Sequence, residues 1–327
     1  MQEKAMIDIK PSNDRYLLIG STRSGFWSDM TNVCGKLLLA EITNRQPLVF
    51  WGEYSHYSVG EDFNSWEKYF LPVSDCSLGD LVSDKYTYYP STFKFFNIYH
   101  DDLTKWVWDP IDIAEFINCD ANVVVIHAHH CLLYEVLPWV KEGHPVYGLW
   151  GDEIFRYIIK KYIKLQPYII DEIEEFYHAH EMQKGPVLAV HIRSGDRHRD
   201  VPHLDEINAD YPSEIDSYLK DNPSARIFLF SESESVIEQY EQMYGDILIY
   251  TECNRKCIDG LYPVLQVFPD RIRKGIEIIK DVYLATKCDY FIGNGYSNVS
   301  IAVSRLKTWE EGRIKLLWKP WPEKTRF

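Results

Sequence analysis

The most constraining feature of this chain is a short run of apolar residues, Val187–Val190, that follows Gly185 and Pro186. Such continuous apolar runs are typical of strands buried on both faces, as in parallel sheets covered by helices. The chain then turns polar at once, with a cluster of His, Arg and Asp between 191 and 200. Because ligands of open α/β sheets bind beyond the carboxyl ends of the strands, this stretch predicts a parallel sheet with a ligand cleft at its edge.

Similar apolar runs recur along the chain and alternate with helical patterns. The predicted strands are 16–20, 47–51, 121–127, 187–193, 225–230, 247–250, 289–293 and 314–318. The predicted helices are about 30–44, 213–221, 234–243, 273–287 and 299–306, with a helical stretch over 152–180 that Pro167 interrupts. This alternation indicates βαβ units and parallel sheets. We therefore predict an α/β fold with two domains, 1–182 and 183–327, joined near Glu181–Gly185.

Composition limits the classes of partner. The 327 residues are enough for two domains with separate cores, and 46% hydrophobic residues exclude a mostly disordered protein. The net charge of −14 argues against nucleic acid or an anionic membrane as a general partner. An anionic ligand would need a local basic pocket, and the residues between 193 and 199 supply one.

The sequence also predicts a cytoplasmic protein without a transmembrane segment or a metal. It begins with no apolar run of signal-peptide length, and it contains no continuous apolar segment of the roughly 20 residues that span a membrane. Seven scattered cysteines fit reduced thiols, and no second pair completes a zinc site with Cys253 and Cys257. The histidines 127, 129 and 130 lie at the end of a predicted strand, where neighbours alternate between faces, so they predict a polar cleft wall or satisfied loop histidines rather than a metal site.

Three polar loops follow predicted strands and should converge: 191–199, 231–234 and 293–300. Arg193 offers a planar fork of donors suited to a diphosphate, and Gly195 lets the backbone approach closely. The loop 293–300, which contains Ser300, leads into a helix whose N-terminus would bind phosphate. Two alternatives stay open, a solvated loop with an internal Arg–Asp pair and a plain Ser/Asn helix cap. Asp281 could accept from a ribose or base, or could be a surface charge.

The segment His191-Ile-Arg193-Ser-Gly-Asp196 resembles the His-x-Arg-x-x-Asp motif of the α1,6-fucosyltransferases, which include the rhizobial Nod-factor enzymes and have protein O-fucosyltransferase relatives. Further similar stretches occur in the same order over most of the chain: 66–74, 150–155, 165–168, 171–175, 274–275, 281, 289 and 297–299. The resemblance implies a GT-B-like fold of two Rossmann-like domains facing a cleft, with acceptor-side residues 1–182 and nucleotide-sugar-binding residues 183–327. It also implies inverting, metal-independent transfer of fucose from GDP-fucose to a glycan or glycoconjugate.

The resemblance also assigns roles. It places Arg193 on the diphosphate, His191 and Asp281 on the nucleoside side, and Ser297 and Asn298 on the phosphates or fucose. The binding candidates are His191, Arg193, Gly195, Glu232, Asp281, Ser297, Asn298 and Ser300, and the catalytic candidates are Arg193, Asp196 and Asp200. No cofactor or metal is expected. Asp200 is the nearest in position to the family's catalytic carboxylate, with Asp205 and Glu206 behind it.

Three departures from the family pattern bear on function. Ser194 stands where the family has a second arginine, Glu232–Ser233 replaces an Asp-Asp pair, and Asn298 replaces a glutamine. These changes keep two alternatives open, a glycosyltransferase that uses another nucleotide sugar and a degenerate glycan-binding protein without turnover. Residues 52–118 would shape the acceptor site and carry no clear periodicity.

Overall fold

The computed structural model describes residues 14–53, 55–60, 63–100, 112–126, 131–194, 201, 203–255 and 270–320. Its described strands form two fully parallel sheets. The first sheet contains β1 (Tyr16–Ile19), β2 (Gln46–Val49), β3 (Tyr88–Tyr89) and β4 (Val123–Ile126), in the order β2-β1-β4-β3. The second contains β5 (Val187–His191), β6 (Arg226–Phe230), β7 (Leu248–Ile249), β8 (Tyr290–Asn294) and β9 (Ile314–Leu317), in the order β7-β6-β5-β8-β9.

Helices connect and cover these sheets. They are α1 (Phe26–Ile42), α2 (Ile113–Ile117), α3 (Leu133–Val136), α4 (Gly151–Tyr162), α5 (Pro167–Ala179), α6 (Leu204–Asp221), α7 (Glu234–Tyr244), α8 (Arg271–Thr286) and α9 (Asn298–Leu306). Short 3₁₀ helices occupy Ser65–Lys68, Leu78–Leu81, Leu137–Trp139, Met182–Lys184 and Gly245–Ile247. Together the sheets and helices confirm the predicted α/β fold.

The largest difference from the predicted elements is the start of α6. The sequence predicts a helix over 213–221, yet α6 begins at Leu204 and contains Pro212, although proline disfavours helix interiors. Its buried residues Leu204, Ile207, Tyr211, Ile215 and Tyr218 form one continuous apolar face across the proline. Burial of that face stabilises the helix more than the lost backbone hydrogen bond costs, because each buried side chain contributes about 1.5–3 kcal/mol.

The two sheets are joined by a shared layer of helices. Helices α1 and α4 pack on α9, and α5 packs on α8. The Arg273 guanidinium of α8 donates to both carboxylate oxygens of Glu172 on α5, at 2.9 and 2.8 Å. The domain boundary predicted at 182/183 stays a prediction, since α4 and α5 precede it but pack on helices that follow it.

The strand order places the site. In the second sheet the chain runs outward from β5 through β6 to β7, and then returns to the other side of β5 with β8. This reversal creates a crevice at the carboxyl ends of β5 and β8, which is where open α/β sheets bind ligands. No helix within the described ranges is long and apolar enough to cross a membrane.

Candidate active site

The carboxyl edge of the second sheet brings together polar residues from the three loops. The Nδ1 atom of His191, the last residue of β5, lies 2.7 Å from Ser300 Oγ in α9. Two residues further on, Arg193 Nη1 lies 3.1 Å from Glu232 Oε1, in the loop after β6. The convergence expected from the strand pattern is therefore present in the folded chain, although the function of each residue stays a prediction.

His191 is buried and uncharged. It is 3% exposed, and its ring lies 4.8 Å from the ring of Phe230. Burial and, to a smaller extent, the positive charge of Arg193 together lower the pKa of His191 to about 3. Ser300 Oγ also accepts from the backbone N–H of Asn294, at 2.9 Å, so His191 is tied to the end of β8. An imidazole with this pKa is a poor base near neutral pH, which favours a binding role.

The loop that begins at Arg193 is held by a small polar network. Glu232 Oε1 accepts from the guanidinium of Arg193 and from the backbone N–H of Ser194, the latter at 3.0 Å. The side-chain amide of Asn208 in α6 donates to the carbonyl of Arg193 at 2.9 Å. Glu232 contacts Nη1 of Arg193, and a guanidinium presents further N–H donors in a planar fork. Arg193 is thus oriented by a carboxylate and keeps donors suited to a second anion.

Asp281 is not a surface charge. It is 9% exposed on α8, and its Oδ1 accepts from Thr251 Oγ1, in the loop after β7, at 2.6 Å. Burial raises the pKa of Asp281 to about 6, while the Thr251 hydroxyl and the Arg255 guanidinium act in the opposite direction. This buried acceptor lies beyond the carboxyl end of β7, on the side of the edge away from β8.

The N-terminus of α9 lies at the opposite side of this edge. Ser297 is buried at the N-cap position, and its side chain makes no capping hydrogen bond. The alternative of a plain Ser/Asn cap through Ser297 is therefore wrong. Asn298 is the exposed first residue of the helix. Helix N-termini carry a partial positive charge and unpaired N–H groups, so this end can bind an anion.

Several predicted residues lie outside the described ranges: Gly195, Asp196, Asp200, the histidines 127, 129 and 130, and Cys257. Asp205 and Glu206, the two carboxylates that follow Asp200 in the sequence, are both exposed in the first turn of α6. The Oε1 atom of Glu206 lies 2.7 Å from His203 Nδ1. No group of three or more His, Cys, Asp or Glu side chains in the described part of the chain has the geometry of a metal site.

The first half of the chain contributes a rigid turn after β1. Asp29 is 1% exposed and accepts from Ser21 Oγ at 2.6 Å and from the backbone N–H of Thr22 at 3.0 Å. These bonds brace a turn in which Arg23 takes a left-handed backbone conformation, with φ of 58°. Asp29 is thus a buried structural residue.

Residues that the sequence did not single out also line this region. Burial lowers the pKa of His56, after β2, and Lys274 and Arg271 of α8 contribute in the same direction. His56 is therefore close enough to the start of α8 to interact electrostatically with it. Thr251 and Arg255 are further examples. All lie in or beside irregular loops, where periodicity carries no signal, and only their positions after strands could have indicated them.

Comparison with known proteins supports the fold. No family profile and no curated protein sequence matches the chain. NodZ α1,6-fucosyltransferase soaked with GDP-fucose is 19% identical, with a TM-score of 0.56, and the match covers 89% of this chain and 92% of that chain. Another matching NodZ structure is from Bradyrhizobium. POFUT1 in complex with GDP-fucose is 14% identical, with a TM-score of 0.54, covering 94% and 99%.

A plant enzyme gives the same result. An Arabidopsis thaliana FUT1 variant in complex with GDP is 11% identical, with a TM-score of 0.57, and the match covers 95% of this chain and 74% of that chain. At these identities the similarity concerns the fold. The chain therefore has the GT-B-like fold of the fucosyltransferase structures, which confirms at the level of fold the resemblance based on His191-Ile-Arg193-Ser-Gly-Asp196.

Proposed function

We propose that this chain transfers fucose from GDP-fucose to a hydroxyl of a glycan or glycoconjugate, with inversion and without a metal. The observation that carries the proposal is the convergence of His191, Arg193, Asp281 and the N-terminus of α9 at one edge of the second sheet. Structures with this fold were determined with GDP or GDP-fucose. The cytoplasmic location stays a prediction.

The leaving diphosphate needs positive charge at the moment the glycosidic bond breaks. The Arg193 guanidinium and the N–H groups at the start of α9 can supply it, because they lie on loops after adjacent strands. Preorganised donors of this kind stabilise developing negative charge without reorganisation. The acceptor hydroxyl must lose a proton to a base, and the low pKa of His191 argues against this side chain. Asp200 stays the candidate for the base, and Asp196 stays a catalytic candidate beside it.

The nucleoside end would be recognised by Asp281. Guanine presents an N–H and an amino group that need an acceptor, and a buried carboxylate is a strong one. The carboxylate of Glu232, another binding candidate, contacts Arg193 and the Ser194 N–H, which favours a place at the diphosphate end of the site. Asp281 is therefore the stronger candidate for base selection.

We expect GDP to bind more tightly than UDP, CMP or dTDP. A nucleotide that leaves Asp281 unpaired should lose about 1–3 kcal/mol of binding free energy, which corresponds to roughly 5- to 150-fold in Kd. Calorimetry with the four nucleotides measures this preference, and Asp281→Asn should reduce it. Tightest binding of UDP or dTDP would contradict the GDP-fucose assignment and favour transfer of another sugar.

Transfer should survive chelation. We expect EDTA to leave the rate of GDP release from GDP-fucose unchanged, because Arg193 and the α9 N-terminus provide the positive charge that a metal would otherwise supply. The measurement compares initial rates with and without EDTA, and again after addition of Mg²⁺ or Mn²⁺. Loss of activity that either ion restores would show that metal independence is wrong.

A second candidate is a degenerate glycan-binding protein without turnover. One observation favours it: Arg193, which in this chain is followed by Ser194 rather than by a second arginine, is paired with Glu232. This pairing reduces the positive charge available to a diphosphate. Turnover separates the two candidates, since release of GDP from GDP-fucose supports the transferase and glycan binding without release of GDP supports the second candidate.

A further inference from the structure

The loop after β7 and helix α8 share a buried polar network beside the candidate site. Thr251 Oγ1 donates to Asp281 Oδ1 at 2.6 Å, and Arg255 Nη2 donates to Thr251 Oγ1 at 3.2 Å. Arg255 Nε also donates to the carbonyl of Ser231 at 3.2 Å, in the first residue after β6. One guanidinium therefore connects the loops after β6 and β7 and, through the Thr251 hydroxyl, reaches Asp281.

The network is largely buried. Thr251, Arg255 and Asp281 are each less than a tenth exposed, and the guanidinium carbon of Arg255 lies 5.8 Å from the centre of the Tyr250 ring. A buried charge is costly unless an opposite charge and hydrogen bonds compensate it. Arg255 and Asp281 are opposite charges in one hydrogen-bonded chain, so each offsets part of the cost of burying the other.

We infer that Arg255 is a positioning residue for the nucleoside end of the donor site. Through Thr251 it orients the Asp281 carboxylate and keeps it in the charged form that accepts hydrogen bonds from a purine base. This inference rests on the proposed function, which assigns Asp281 to the nucleoside. Arg255 itself contacts the protein, and its effect on the donor is exerted through Asp281.

The charges around Asp281 explain why the Arg255 guanidinium affects the protonation of this carboxylate. On α8, Glu277 disfavours the Asp281 carboxylate and Lys280 favours it. From the loop after β7, Arg255 favours the carboxylate, and the Cys253 thiol is close enough to interact with it. Burial is the largest effect and raises the pKa of Asp281 to about 6. The carboxylate therefore predominates above about pH 6 and is lost below it, and removal of Arg255 should move this limit to higher pH.

The test replaces Arg255 by methionine, which keeps much of the length and removes the charge and the donors. Arg255→Lys is the matched control, because it keeps the charge and loses the fork. Carbon-13 NMR of labelled aspartate follows the titration of Asp281 in the free protein. Calorimetry measures Kd for GDP between about pH 5 and 9, a range that brackets ordinary and raised carboxyl pKa values.

We expect GDP affinity of the unchanged protein to fall as the pH drops through the Asp281 titration. In Arg255→Met both this fall and the NMR midpoint should move up by about one to two pH units. Its affinity at neutral pH should then be reduced up to roughly tenfold, since only the charged fraction binds. The loss should become smaller at alkaline pH, and Arg255→Lys should restore part of the midpoint. A merely structural role would leave the midpoint in place.

An unchanged midpoint in folded Arg255→Met would overturn the inference. Where that variant fails to fold, Thr251→Val removes the intermediate hydroxyl and should also raise the Asp281 midpoint, and an unshifted midpoint there overturns the inference equally. Asp281→Asn should remove the part of the pH dependence of GDP binding that follows the Asp281 titration. A protein that binds no GDP, or one in which Asp281→Asn binds GDP normally, would instead contradict the proposed function, while the NMR titration still decides whether Arg255 controls Asp281.

Discussion

Replacement of Arg193 by alanine should lower the rate of fucose transfer by on the order of a hundredfold or more, about 2–4 kcal/mol in transition-state free energy. The guanidinium lies at the carboxyl end of a buried strand and is 18% exposed. Its loss removes the contact to the leaving diphosphate and also leaves the Glu232 carboxylate without its Arg193 partner, close to a second anion. The measurement is kcat/KM for GDP-fucose, with circular dichroism to confirm that the variant is folded.

Three further variants separate the causes. Arg193→Lys should recover only part of the activity, because an ammonium cannot form the planar fork. Combining Arg193→Ala with Glu232→Gln should recover part of the loss if repulsion by the carboxylate contributes. Arg313→Ala removes an arginine at the far edge of the sheet, paired with Glu310 at 3.6 Å, and should leave the rate unchanged. Near-normal activity of folded Arg193→Ala would show that its assignment to the diphosphate is wrong.

Replacement of Gly35 by alanine should destabilise the protein by about 3 kcal/mol. This is the reverse of the usual effect, because alanine is normally more stable than glycine in a helix interior by about 1 kcal/mol. A Cβ atom at this position of α1 would lie 2.0 Å from the carbonyl oxygen of Cys131. That backbone is held in place, since the Cys131 N–H donates to Asn32 Oδ1 at 2.8 Å. Equilibrium unfolding in urea measures the change in the free energy of unfolding.

Gly25→Ala is the matched control for this prediction. Gly25 lies at the N-cap of the same helix, has φ of −64°, and has no heavy atom within 4 Å of an added Cβ. Its replacement should change stability by about 1 kcal/mol or less. If Gly35→Ala were as stable as the unchanged protein, the close approach of α1 to Cys131 would be incorrect.

Much of the fold could be predicted because the local pattern of apolar residues indicates which helices and strands are buried. The apolar run that forms β5 is buried at every position, and predicted strands also match β1, β2, β4, β6, β7, β8 and β9 to within a few residues. The two-residue β3 was not predicted, since so short an edge strand carries no periodicity. The start of α6 was predicted nine residues too late, and burial of one long apolar face carries the helix through Pro212 back to Leu204.

The sequence by itself also determined which loops carry the polar residues, because His191 and Arg193 follow an unmistakable strand and resemble a known motif. Only the tertiary structure decided which side chains meet. The contacts of Arg193 with Glu232, His191 with Ser300 and Thr251 with Asp281 join residues 30 to 109 positions apart. These pairings depend on strand order and on how helices pack across the sheets, and neither is recorded in the period of any single element.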